Sequence, residues 1–379
     1  MKVSRRALLG AALGSLAVTA GGCTRPVDPA TGGADPGRTL DLGILWTQSG
    51  ADRRPINESI RFEQGLRVGM LWVTSRTNQI GVRTITEVKA DDRGDPAAAE
   101  AAAEDLVDRG CRILVGGFTD AVALRLAGVA ERRKVLFIAA TATADELTGR
   151  NRYTFRSGPE ITQLLLAART YVKPGGRLVV LAADRARAAK AASMLGAAST
   201  IVLPATTKDF AAVRRIRAGQ IYVDWPKPEP KLWAAIPAGV QPITILGARN
   251  TWFQYGTQAQ ALRFVTPYVD GASNNNAYQA LRLAVLNRRS DTGHAEGFAA
   301  AQMAVRAFQY GAQSTDDMIE SLEALEFAGV KRGLTVRPRD HLLEQGVWGG
   351  RLTWVGASSA LAAVPEREFT PDETTPAVS

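Results

Sequence analysis

Residues 112–143 read RILVGGFTDAVALRLAGVAERRKVLFIAATAT, and the order of runs within them decides the fold. Arg112–Val115 is a short apolar run and predicts a strand, which Gly116-Gly117 ends. Ala121–Arg133 carries apolar residues at helical spacing, and Val135–Ala139 is a second apolar run that stops at the polar turn Thr141–Asp145. Working outward, the same alternation recurs on both sides. Upstream, Thr39–Trp46 and Val82–Ala90 predict strands, and Glu58–Ser75 predicts a helix. Pro96 opens a further helix at the position where a missing N–H costs nothing, and Gly110 closes it. Downstream, strands are predicted at Arg177–Ala182, Ser199–Leu203, Ile221–Val223 and Pro242–Leu246. Helices are predicted at Ile161–Val172, Arg185–Leu195, Lys208–Ala218 and Lys231–Ala235. Two late helices, Gly297–Tyr310 and Thr315–Leu325, precede two late strands, Gly333–Arg337 and Gly346–Val355.

Repeated strand–helix alternation builds parallel sheets with helices on both faces, so the fold class is α/β, in two open, doubly wound lobes. Ligands of such sheets sit beyond the carboxyl ends of the strands. Three loops rich in Gly, Ser and Thr meet at that edge: Thr47–Gly50, Gly116–Asp120 and Thr141–Ala144.

Composition narrows the function. The chain has 379 residues, 46% of them hydrophobic and 22% charged, which fits two cores and excludes a disordered or collagen-like chain. Two cysteines exclude a disulfide scaffold, and two histidines leave little for a metal site, so no cofactor or metal is expected. The net charge of +9 is spread along the chain without basic runs interleaved with aromatics, so no nucleic-acid partner is expected. No G-x-S-x-G elbow, phosphate loop or H-E-x-x-H occurs. His294 and His341 stand alone and read as surface or capping residues, so the chain is read as a binder and not an enzyme.

The first residues, MKVSRRALLGAALGSLAVTAGGC, join a basic start to an apolar stretch too short for a typical span. Ser4–Leu9 resembles the twin-arginine export motif, with Gly10 where a lysine is common, and Ala20-Gly21-Gly22-Cys23 resembles a lipobox. Residues 1–22 are thus expected to be a signal peptide and Cys23 a lipidated anchor, with 23–38 a Pro/Gly-rich tether. Cys111 has no partner and reads as a buried structural thiol.

With these readings in place, the body from about Leu40 to Val355 resembles the type I periplasmic solute-binding proteins, in particular the branched-chain amino acid (Leu/Ile/Val) receptor group of ABC importers. The resemblance rests on Leu42–Gly50, Asp91–Ala99 with Leu106-Val107, Leu114–Ala121, Ala139–Thr143 with Leu147-Thr148, Tyr153–Ser157 and Lys208–Phe210. It implies a bilobed clamp with three crossings, near Arg156–Pro159, Ser290–Gly293 and Gly333–Arg337. Lobe 1 would comprise 39–158 plus 293–333 and lobe 2 159–292 plus 334–362, leaving 363–379 as a disordered tail. It further implies a monomer outside the cytoplasm, held at the outer membrane face by Cys23, which captures a small polar solute and delivers it to an ABC permease. A lipid-anchored sensor on the same fold is the alternative, and an extracytoplasmic hydrolase a third.

The ligand-facing candidates are Trp46, Ser49, Thr119, Asp120, Thr141, Ala142, Thr143, Asp224, Trp225, Arg249 and Asn250. Asp120 stands where the family has a serine for the ligand carboxylate, so either Thr119 takes that role or the solute lacks a carboxylate there. Asp120 reads first as the N-cap of the following helix, with ligand contact as the other role. Asp224 suits a ligand ammonium and Arg249 an anionic group, or the two bridge each other. Trp46 and Trp225 offer stacking faces. Arg156 reads as a hinge ion-pair residue, Tyr153 as interlobe packing, and Asp91, Asp92 and Asp95 as a capping loop.

Overall fold

The computed structural model describes residues 39–226, 228–247, 255–256, 259–260, 262–285, 289–310, 314–355 and 360–377. The expected signal peptide, Cys23 and the tether lie outside the described residues, as do Arg249 and Asn250.

Six strands form the first sheet: β1 (Thr39–Trp46), β2 (Gln79–Ile80), β3 (Arg83–Asp91), β4 (Ile113–Gly116), β5 (Leu136–Ala139) and β6 (Thr154–Arg156). Their order is β2-β3-β1-β4-β5-β6, parallel throughout except for β2. The strands are apolar on both faces because both are covered. Leu42, Ile44, Ile113, Val115, Leu136 and Ile138 face α1 (Arg53–Val73) and the long helix Thr292–Tyr310. Their neighbours Leu45, Leu114 and Phe137 face α2 (Pro96–Asp108) and α3 (Asp120–Arg133). Asp95 caps α2 through the N–H groups of Ala97 and Ala98. Burial pushes the Cys111 thiol up to about 11, in keeping with an inert core residue.

The second sheet contains β7 (Leu178–Ala182), β8 (Ser199–Val202), β9 (Gln220–Asp224), β10 (Gln241–Ile245) and β11 (Arg263–Thr266). A small antiparallel sheet follows, of β12 (Glu326–Gly329), β13 (Arg332–Val336) and β14 (Leu343–Gln345). The last strands, β15 (Val347–Val355) and β16 (Ala360–Phe369), complete the second sheet in the order β16-β15-β11-β10-β9-β7-β8. Helices α4 (Ile161–Arg169) and α5 (Arg185–Leu195) cover one face of it.

Four expectations need correction. Residues 276–284 were expected in lobe 2, but they form the helix Asn276–Ala284, whose Ala277 and Leu281 pack with Ala295 and Phe298, so the chain leaves the second sheet soon after β11 rather than near Ser290. The third passage falls at Gln345–Val347, because β14 still pairs with β13 and Leu334, Val336 and Leu343 belong to the first core. The tail is not structureless: β16 pairs along β15 and the turn Pro371–Thr374 docks on α4. Pro365 is tolerated because β16 is an edge strand and Pro365 sits at the register shift opposite Gly349-Gly350. Both histidines are buried. His294 pairs with Asp291 at the start of its helix, and His341 stacks on Phe155 at 3.9 Å.

Candidate functional site

In each sheet the strand order reverses at one place, between β1 and β4 in the first and between β7 and β9 in the second. Loops leaving the carboxyl ends of strands on either side of such a point diverge and open a crevice. The two crevices face each other across a shared cavity of about 320 Å³. Phe118–Asp120 and Thr141–Thr143 line it from the first sheet, and Ala183-Asp184 and Asp224–Pro226 from the second. The first turn of α1 and the start of the helix Thr292–Tyr310 form its hinge side, through Arg54, Glu58, Gly293 and Glu296.

The first-sheet loops are held rigid. Thr119, not Asp120, caps α3, accepting from the N–H of Val122 at 3.3 Å. The Asp120 carboxylate instead accepts from the N–H groups of Thr143 at 2.8 Å and Ala144 at 3.1 Å. Arg156 grips the same loop from below, donating to the carbonyls of Ala142 at 3.0 Å and Ala144 at 3.2 Å. The Thr141–Ala144 turn is therefore fixed through both its N–H and its C=O groups, and its position relative to the cavity is set before any solute enters.

One guanidinium spans the cavity. Arg187, in the first turn of α5, clasps Asp224 through Nε at 2.7 Å and Nη2 at 3.2 Å. Its Nη1 reaches across to Asp120 Oδ2 and Thr143 Oγ1, each at 3.2 Å. Burial works to lower the Arg187 pKa, but the bidentate Asp224 carboxylate outweighs it and holds the group above its ordinary range. Lys190, one turn on, pairs with Asp145 across the same gap. The partner of Asp224 is thus Arg187.

Of the sequence-predicted residues, Thr119, Asp120, Thr141, Ala142, Thr143, Asp224 and Trp225 border the cavity. Trp225 also packs edge-on against Phe210 in the second core. Trp46 and Ser49 do not border it. Trp46 lies against the first core with the Lys89 ammonium 4.6 Å from its ring centroid. Ser49 Oγ donates to Asp91 at 2.6 Å, and Thr47 Oγ1 donates to Asp92 at 2.6 Å, so the aspartates fasten the β1 loop to the end of β3. Tyr153 packs within the first lobe's cores and not between lobes.

Arg54, Glu58, Arg187 and Glu296 were not singled out from sequence. Arg187 sits after β7 as Asp120 sits after β4, and that equivalence was the available signal. Glu296 is a lone acid in an alanine-rich run, placed one residue before the predicted helix; the helix begins at Thr292 and carries it inward.

The hinge-side carboxyls are strongly perturbed. Burial raises Glu58 to about 7 despite Arg54 and a 3.3 Å hydrogen bond from Thr141 Oγ1, with Asp291 and Asp52 adding to the rise. Glu58 is half-buried and borders the cavity. Burial raises Glu296 to about 8, against the attraction of Lys331 and Arg156 and with repulsion from Glu58 and Asp291. Burial likewise lowers Lys331 to about 8, opposed by Glu296.

These shifts fix a pH dependence. Between the unfolded carboxyl range and pH 7–8 the folded chain holds protons that the unfolded chain has lost. The corresponding stability is present at low pH and is lost as pH rises through 7–8. Lys331 acts in the opposite sense above about pH 8, where the unfolded chain holds the extra proton and stability rises with pH. The solute-free protein is expected to melt at a lower temperature at pH 8 than at pH 5.5, and the double variant Glu58→Gln, Glu296→Gln to lose most of that slope. Thermal unfolding across the range checks this; an unchanged slope in the double variant refutes it.

Among the described residues no cluster of His, Cys, Asp or Glu could hold a metal ion, and no helix is long and apolar enough to cross a membrane.

Comparison with known proteins agrees with this geometry. The chain resembles an ABC-type branched-chain amino acid transporter protein from Rhodopseudomonas palustris CGA009, with 26% identity, a TM-score of 0.78, and 89% of this chain and 98% of that one covered. It is similar in fold to a solute-binding protein from Rhodopseudomonas palustris HaA2 in complex with p-hydroxybenzoic acid (17% identity, TM-score 0.77, 88% and 97% covered). It is similar also to a leucine-, isoleucine-, valine-, threonine- and alanine-binding protein from Brucella ovis in a closed conformation (16%, 0.77, 90% and 97%). No curated protein sequence matches the chain. Residues 39–358 match the sequence profile described as periplasmic binding protein, and with two doubly wound sheets facing one cavity, the chain belongs to that family of non-enzymatic solute binders.

Proposed function

We propose that the protein captures a small polar solute in the cavity between its sheets and delivers it to an ABC importer, while a lipid on Cys23 holds it at the outer face of the membrane. The observation that carries this reading is the cavity wall itself: strand-end loops from both sheets converge on one space, and their charged groups already meet through Arg187. Thr119, Asp120, Thr141, Ala142, Thr143, Asp224 and Trp225 are the proposed contacts. A clamp of this kind gains affinity by burying its guest and satisfying its hydrogen bonds from both halves.

The test is a thermal-shift panel of amino acids, amides, amines, polyols and aromatic acids. At a solute concentration about 100 times Kd the stabilisation is about 2.7 kcal/mol. A panel in which no compound raises the melting temperature counts against solute capture. The anchor has a separate check: intact mass of the membrane-extracted protein is expected to show residues 1–22 removed and acyl chains on Cys23. A bare Cys23 or a retained leader refutes it.

A further inference from the structure

Among the described residues that border the cavity, carboxyls outnumber guanidinium groups: Glu58, Asp120, Asp184, Asp224 and Glu296 stand against Arg54 and Arg187. The Arg187 guanidinium is committed to Asp224 and Asp120. Arg54 faces Asp52, 3.8 Å away, and Glu58, and its buried Nε has no hydrogen-bond partner among the described residues. Lys331 is buried and donates to Ser157 O and Gln345 Oε1, both at 2.7 Å, which ties two of the interlobe passages together. The lining carboxyl with an unpartnered buried oxygen is Glu296. It is 2% exposed, borders the cavity, and its Oε2 has no hydrogen-bond partner among the described residues. A buried carboxylate oxygen without a donor is costly, and Glu296 is one of the residues that border the space where a solute would lie. Glu58 borders the same space, and the Thr141 hydroxyl donates to its carboxylate.

Resting on the solute-capture reading above, we infer that the guest carries a cationic nitrogen, as an amine, amidine or guanidine, seated between Glu58 and Glu296 at the hinge end of the cavity. Such a group supplies a donor for the unpartnered Glu296 oxygen, and its charge answers the excess of carboxyls over guanidinium groups among the described residues of the wall. An anionic head placed there would meet two carboxyls, and a purely apolar one would leave Oε2 unpaired. The raised carboxyl pKa values add a signature. A guanidinium keeps its own proton, so its entry forces Glu58 and Glu296 to ionise against the repulsion of Asp291 and Asp52 and beside Arg54, Lys331 and Arg156. The protons they held near pH 7 leave to solvent.

Titration calorimetry on the full chain at pH 7, in two buffers of different ionisation heat, tests this with matched pairs that differ in the cationic nitrogen: butylguanidine against butylurea, and 1,4-diaminobutane against 1,4-butanediol. 4-Hydroxybenzoate serves as the anionic class. At least one cation is expected to bind more tightly than its neutral counterpart by roughly ten- to a hundred-fold, with net proton release. Glu296→Gln and, separately, Glu58→Gln are expected to shrink both the preference and the release. A neutral or anionic compound binding at least as tightly as the cations, or cation binding without proton release, overturns this inference and leaves solute capture standing. Failure of every compound, cationic or not, counts against solute capture, and this inference falls with it.

Discussion

Alanine at Gly297 is expected to cost about 3 kcal/mol or more of folding stability, and alanine at Gly65 about the same. The expectation runs against helix propensity, which alone favours alanine over glycine by about 1 kcal/mol inside a helix. Geometry decides the sign. A Cβ on Gly297 would lie 2.0 Å from the carbonyl oxygen of Phe62, and one on Gly65 would lie 2.0 Å from that of His294. Each glycine thus meets the backbone of the facing helix, and a carbonyl held in a helix cannot swing aside as a side chain does. The helices α1 and Thr292–Tyr310 would have to separate along their length. That separation opens the core they share, where Phe62, Leu66 and Met70 pack with Ala300, Ala301 and Ala304. It also moves Glu58 away from Glu296, since each stands on one of the two helices. Gly219→Ala is the control, because no atom lies within 4 Å of its would-be Cβ. Chemical denaturation of the three variants gives the answer, and Gly65→Ala and Gly297→Ala variants as stable as Gly219→Ala would falsify the argument.

The helical crossing could not be read from sequence, although the strands could. The run Thr39–Trp46 predicted β1 with both ends correct, and the runs at 112–115, 135–139 and 177–182 gave β4, β5 and β7 within a residue. Strands covered on both faces are nearly all apolar, and turn residues bound them, so their signal is local. What fails is information carried by distant partners. The run at 360–369 contains Pro365 and alternates poorly, and only its pairing with β15 makes it a strand. Gly65 and Gly297 look like helix-weakening residues until the facing carbonyls are known.

The cavity followed the same rule. Loops after β4, β5 and β9 were placed at its edge because strand ends fix them. The loop after β1 was placed there by the same reasoning, yet Asp91 and Asp92 fold it back by hydrogen bonds from Gln48 N, Ser49 and Thr47. Arg187 was passed over because its importance comes from what it spans. Its two carboxylate partners are 67 and 37 residues away in the chain, and nothing in the local spacing announces them.

Arg156→Met is expected to destabilise the protein by about 3–5 kcal/mol, and to weaken solute binding in whatever fraction still folds. Arg156 is 2% exposed, and burial holds its pKa below the ordinary arginine value. Its three nitrogens donate to the carbonyls of Ala142, Ala144, Gly158 and Pro159 and to Thr148 Oγ1, at 2.8–3.2 Å. Methionine fills a similar volume but satisfies none of these acceptors, and it leaves Glu160, whose carboxylate is 3.8 Å from Nη1, without its buried counter-charge. Arg156→Lys separates charge from geometry. An ammonium keeps the charge beside Glu160 but is a single point with three donors, so it cannot hold carbonyls on both the cavity loop and the interlobe passage. The lysine variant is therefore expected to recover part of the stability while its solute affinity stays below wild type, because the Thr141–Ala144 turn keeps Asp120 on its N–H groups and loses the grip on its carbonyls. Denaturation curves of both variants, read beside calorimetry with the tightest solute of the panel, measure the two effects separately. Wild-type affinity in the lysine variant would mean that Asp120 alone positions the turn, and a methionine variant within about 1 kcal/mol of wild type would mean that water reaches the buried carbonyls once the guanidinium is gone.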